Sequence, residues 1–97
     1  MAAKDNVQVV NNLAGRRFEI ASNDGTAFLR YIRKDLKLHL VHTEVPRALE
    51  GHGLAAILAR TALEYARDEH LRVVAECPFV AAYIARHPEF QELLDSA

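Results

Sequence analysis

Cysteine is nearly absent: the 97-residue chain has one, Cys77. A single cysteine excludes an intrachain disulfide framework and suits a reducing, cytoplasmic setting. Long hydrophobic runs are missing too. No stretch approaches the roughly 20 apolar residues of a membrane span. The start, Met1-Ala2-Ala3-Lys4-Asp5-Asn6, has no apolar run like that of a signal peptide. Nor is there an excess of charge of one sign. A net charge of −1 argues against bulk electrostatic binding to nucleic acid or to an anionic membrane. No internal repeat or low-complexity segment occurs, and no Gly-Lys-Ser/Thr marks a P-loop. His39, His42, His52 and Cys77 could ligate a metal, but none has zinc spacing. On a regular strand His39 and His42 would also face opposite ways. No metal site is expected. What remains is ordinary for one globular domain spanning 1–97: 51% of residues are apolar and 26% charged.

The first half reads as strands joined by tight turns. Val7–Asn11 is a short strand, and Asn12-Leu13-Ala14-Gly15 is a turn. From Arg16 to Ala21 the pattern alternates, with Phe18 and Ile20 on one face and Arg17 and Glu19 on the other. Asn23-Asp24-Gly25 signals a hairpin with a type I′ turn. Thr26–Arg33 returns, Lys34-Asp35 turns, and Leu36–Val45 is a fourth strand. Leu54, Ile57, Leu58, Ala62 and Tyr65 then recur at helical spacing, predicting a helix over Gly51–Glu69. Leu71–Glu76 is a fifth strand. A strand, a long helix and a strand make a right-handed βαβ unit, so the fourth and fifth strands should run parallel. Pro78 suits the first turn of a helix over Phe79–Arg86, which puts Cys77 at its N-cap. His87-Pro88 ends that helix, and Pro88–Asp95 can form one more.

Ligands of parallel α/β units bind at the carboxyl ends of the strands. Three features meet there. Gly51-His52-Gly53 opens the crossover helix, whose bare amides and dipole suit a phosphate. Cys77 ends the fifth strand on the face of Leu71, Val73 and Ala75. It is either a small buried hydrophobe or a thiolate favoured by the following helix. On a regular strand His42 shares a face with Leu38 and Leu40. It is either a structural histidine or, opposite Cys77, the base of an activated nucleophile. The segment also matches Gly-x-Gly-x-x-Ala, with Glu76 at the distance of a ribose-binding acid. Four preceding strands and a short remainder argue against that dinucleotide fold.

His42-Thr43-Glu44-Val45-Pro46, Glu50-Gly51-His52-Gly53-Leu54-Ala55, Cys77-Pro78-Phe79-Val80-Ala81-Ala82-Tyr83-Ile84 and His87-Pro88-Glu89-Phe90 follow one another at set spacing. In these segments the chain resembles the very small, single-domain GNAT-like N-acetyltransferases, from about Asn11 to Phe90. The resemblance implies a minimal GNAT-like α+β (α/β) fold. Its sheet is mostly antiparallel, with a central parallel βαβ unit and short C-terminal helices. It implies acetyl-CoA as cofactor, an amine as acceptor, and a CoA site drawn from Val45, Gly51, His52, Gly53, Leu54, Ala55, Pro78 and Tyr83. Glu50 stands where the family usually has Gln or Arg. Cys77 and His42 are the implied catalytic residues. Two mechanisms follow: the Cys77 thiolate takes the acetyl group with His42 as base, or the amine attacks the thioester directly. The alternatives are a CoA- or acyl-CoA-binding module without efficient transfer and, further off, a nucleotide-binding protein.

Overall fold

A computed structural model of the chain describes residues 7–95. Five strands form one sheet in sequential order: β1 (Val10–Asn12), β2 (Arg17–Ser22), β3 (Gly25–Lys34), β4 (Lys37–Glu44) and β5 (Arg72–Ala75). The first four make the expected antiparallel meander, and β5 lies parallel to β4. Helix α1 (Leu54–Asp68) crosses between β4 and β5, and α2 (Pro78–Arg86) follows β5. A 3-10 segment, Pro88–Leu93, closes the described chain. Among the described residues no helix is long and apolar enough to cross a membrane.

The helices cover one face of the sheet. Phe18, Ile20, Ala27, Leu29, Tyr31, Leu38, Leu40 and Val73 point inward and meet Leu54, Leu58, Ala62, Leu63 and Ala66 of α1. The alternate residues of the central strands, among them Arg17, Phe28, Arg30 and Ile32, lie on the opposite face, where no element packs among the described residues. There the Arg17 guanidinium lies 4.4 Å from the centre of the Phe28 ring.

Three local expectations change. The first strand, expected over Val7–Asn11, is Val10–Asn12, so Asn12 pairs with Arg17 instead of starting the turn. The hairpin expected at Asn23-Asp24-Gly25 forms, but its loop is only Asn23-Asp24; Gly25 already belongs to β3 and carries the positive φ (126°), so the turn is not type I′. Ser22 Oγ shapes it instead, accepting the Asp24 N–H at 3.0 Å and donating to the Gly25 carbonyl at 3.1 Å. A Cβ on Gly25 would stand 3.0 Å from Pro46, so the hairpin needs glycine there for two reasons. The helix begins at Leu54, not Gly51, because Gly51 (φ 86°) and Gly53 (φ 74°) take left-handed conformations that stop helical geometry.

Tyr31 ties the edge strand to the core. Its ring packs against Phe18 at 5.1 Å, and its hydroxyl donates to Asn11 Oδ1 at 2.6 Å. Burial, then the neighbouring Tyr65, raises its phenol above the ordinary value, outweighing the Asn11 bond. The unfolded chain therefore releases this proton first. The stabilising contribution is whole below about pH 10 and is lost as the pH rises through the raised value. Tyr31→Phe should cost about 1 kcal/mol at neutral pH and flatten the alkaline loss of stability. Denaturant titrations on both sides of that pH check both signs.

Candidate functional site

The glycine turn sits where the sequence places it, at the carboxyl end of β4. Gly53 is the N-cap of α1, and no side chain caps the helix. The amides of Leu54, Ala55 and Ala56 have no hydrogen-bond partner among the described residues; the first amide engaged is Ile57, to the Gly53 carbonyl at 3.1 Å. A Cβ on Gly51 or Gly53 would meet nothing within 4 Å. The turn therefore offers exposed donors on the positive end of a helix, with open space before them. Beside it runs a groove of about 640 Å³, floored by Ile20, Leu49 and Leu54 and shared with His52.

The second half of the site comes from an irregularity in β4. Arg30 of β3 pairs with His42, but the next residue, Tyr31, pairs with Leu40. Val41 is the extra residue of a β-bulge, and it shifts the phase of every side chain after it. His42 consequently does not share the face of Leu38 and Leu40, as regular alternation predicts. It faces outward, exposed, 3.2 Å from Glu44 and in an edge-type contact with the Phe28 ring at 6.2 Å. Thr43 turns inward in its place, opposite the fully buried Leu29. The bulge also overturns the separation of His39 from His42. Both occupy the open face, each bound to its own glutamate: His39 Nδ1 to Glu76 at 2.7 Å, His42 Nε2 to Glu44 at 3.2 Å.

Pairing between β4 and β5 stops at the bulge. It covers only Lys37–Leu40 against Arg72–Ala75. The Leu40 carbonyl then accepts two amides, Glu76 at 3.0 Å and Cys77 at 2.9 Å. Beyond it the two chains part, and the β4 edge from Val41 to Glu44 has no partner strand among the described residues on that side. Cys77, 4% exposed, caps α2 without a hydrogen bond from its side chain to the helix. Its sulfur instead lies 3.3 Å from Thr43 Oγ1.

The site residues predicted from sequence thus fall into groups. Cys77 is buried where the two strands part, with Pro78 at the first position of α2 next to it. His42 is at the same level on the other face. The expected pairing of His42 with Cys77 is not formed; the sulfur's partner is Thr43. Gly51, His52, Gly53, Leu54 and Ala55 make the turn, and Val45 packs against the core beside it. Tyr83 is buried in α2, stacked on the His87 ring at 3.9 Å and tilted against Phe90 at 6.3 Å. Thr43 is the residue that sequence reasoning passed over. The phase change was visible, since the inward positions run Leu38, Leu40, then Thr43, Val45.

The family model described as GCN5-related N-acetyl-transferase matches residues 17–93, which contain both halves of this site. The chain belongs to that family. Protein NATD1 of Gallus gallus is 33% identical over 86 residues, 84% of this chain and 77% of that protein. Protein NATD1 of Homo sapiens is 31% identical over 86 residues, 84% of this chain and 75% of its own length. The NMR solution structure of a GCN5-like protein from Staphylococcus aureus superposes with a TM-score of 0.73 at 23% identity, covering 95% of this chain and 91% of that one. The fold is accordingly the GCN5-like one, a mostly antiparallel five-stranded sheet with helices. The dinucleotide-binding fold weighed from the glycines is replaced by it. The sheet order here has no switch point, and Glu76 is engaged by His39.

Proposed function

We propose that the chain is an acetyl-CoA-dependent N-acetyltransferase that passes the acetyl group to an amine by way of Cys77. The observation that carries this is the placement of a free helix start and a parted strand pair at one end of the sheet. The amides of Leu54 to Ala56 suit a pyrophosphate, and the unpaired edge of β4 past Leu40 suits a chain of amides lying along it. Gly51, His52, Gly53, Leu54 and Ala55 would hold the pyrophosphate. Val45, Pro78 and Tyr83 would border the arm that leads to Cys77. Acetyl-CoA supplies an activated acyl thioester.

The residues divide the work between two faces. Cys77 Sγ attacks the thioester carbonyl from the helix face. Attacking as the thiolate, its proton already released to solvent, the sulfur forms the Sγ–C bond as the carbon–sulfur bond to CoA breaks, and the departing CoA sulfur takes a proton from solvent. The amine reaches the acetyl group from the open face, forming C–N while Sγ–C breaks. His42, held by Glu44, takes the proton that the amine must lose, and Cys77 is returned for another cycle.

Two measurements test this. CoA should raise the melting temperature and NAD should not, since only a ligand of the folded state stabilises it. Stabilisation by NAD alone overturns the reading. Intact mass after incubation with acetyl-CoA and no amine should show one added acetyl group in the native chain and none in Cys77→Ala. Full turnover by Cys77→Ala sinks the relay and leaves direct transfer. Binding without turnover across an amine panel marks a CoA-binding module.

A further inference from the structure

We infer that Thr43 is a positioning residue for Cys77. Its hydroxyl fixes the sulfur and supports the thiolate, a role for this side chain that rests on the acetyltransferase reading given above. Three observations converge on it. Thr43 Oγ1 lies 3.3 Å from Cys77 Sγ, and neither atom has another side-chain partner among the described residues. The sulfur heads an α-helix yet makes no capping bond, so the helix does not hold its rotamer; Thr43 does. And Thr43 faces inward only because Val41 bulges, a distortion that removes His42 from the same position. The fold therefore exchanges an imidazole for a hydroxyl beside the sulfur.

The chemistry sets the direction of the bond. A thiol and a hydroxyl can each donate, but against a thiolate only the hydroxyl can. A charge-assisted O–H···S⁻ bond favours the reactive form and is stronger than its neutral counterpart. The Leu40 carbonyl fixes the backbone of Cys77 and the Thr43 hydroxyl fixes its side chain, so the nucleophile is held from two points where the strands part. Thr43 touches neither substrate nor reacting carbon in this role; it acts through Cys77.

Because Cys77 is the only cysteine, alkylation by iodoacetamide followed by intact mass reports on it alone. The rate constant for this modification needs no CoA and no amine. Thr43→Val keeps the shape and loses the hydroxyl; it should slow alkylation about tenfold, the size of one hydrogen bond to a charged group. Thr43→Ser keeps the hydroxyl and should stay within about threefold of the native rate. Thr43→Ala, a second variant without the hydroxyl, should also be slow even though it opens space around the sulfur. If Thr43 merely shields Cys77, Ser and Ala both react faster than the native chain and the inference falls. It falls equally if Val matches the native rate. Protection of Cys77 by added CoA is the separate arm. Its absence removes the acetyl-CoA reading while the Val and Ser comparison still stands, and its presence with an unchanged Val rate removes only the role of Thr43.

Discussion

Under the proposed function, Gly53→Val should lower CoA affinity at least about tenfold, equivalent to about 1.4 kcal/mol, while the chain still folds. Gly53 takes φ 74° at the N-cap of α1, where an L-residue costs about 1–2 kcal/mol and a β-branched one is disfavoured most. A Cβ there meets no protein atom within 4 Å, so the cost to the fold is one of backbone strain without a clash. The cost to binding is larger. The strain is relieved by turning the peptide, and that moves the amides of Leu54 to Ala56 out of convergence. The new side chain also enters the space an anion must occupy to reach them. Leu36→Ala, exposed in the β3–β4 turn away from this site, is the control and should leave CoA affinity unchanged. Calorimetry of CoA binding with thermal melts of both variants separates binding from folding. Undiminished affinity in Gly53→Val would remove the pyrophosphate from this turn. Glu50, exposed at the entrance of the turn, adds a carboxylate that a pyrophosphate would have to pass. Its repulsion is screened by solvent and leaves the backbone donors intact.

How much of this was legible in the residues depends on the length scale. Alternation in Arg16–Ala21 and the hairpin signal at Asn23-Asp24-Gly25 put strands in nearly the right places, because each signal is local and repeated. The crossover helix and the parallel β4–β5 pair followed from connection length. The helix start was misplaced by three residues, since glycine in a left-handed conformation ends a helix as readily as it begins a phosphate loop. The bulge was the consequential miss. Leu38-His39-Leu40 alternates and the apolar Val41 then breaks the alternation, but one apolar residue in a strand buried on both sides looks the same, so the break does not by itself announce an inserted residue that reverses everything downstream. Its trace lay further on, in Thr43 and Val45, where the inward positions change phase. A hydroxyl beside a sulfur carries no such trace. It is a tertiary contact between residues 34 apart in sequence.

Phe18→Ala should cost about 3–5 kcal/mol, whereas Phe28→Ala should cost about 1 kcal/mol or less. The two phenylalanines lie in adjacent strands one register apart: Phe18 pairs with Leu29, Phe28 with Glu19. Composition and strand propensity do not distinguish them. Their faces do. Phe18 is 2% exposed, wedged between Tyr31 at 5.1 Å and Tyr65 of α1 at 5.5 Å, so truncation leaves a cavity under the helix. Phe28 lies on the uncovered face beneath the Arg17 guanidinium, where water can replace it. A domain of this size has a total stability on the order of 5–15 kcal/mol, so Phe18→Ala removes a large share of it and should lower the denaturant midpoint steeply. Phe28→Ala should leave that midpoint nearly unchanged. Under the proposed function it should still disturb acceptor use, since its ring borders His42 on the side from which the amine arrives. Equal losses of stability would mean that both faces of the sheet are covered in solution. The same result would deny the amine its approach, and with it the division of the site into a thioester side and an acceptor side.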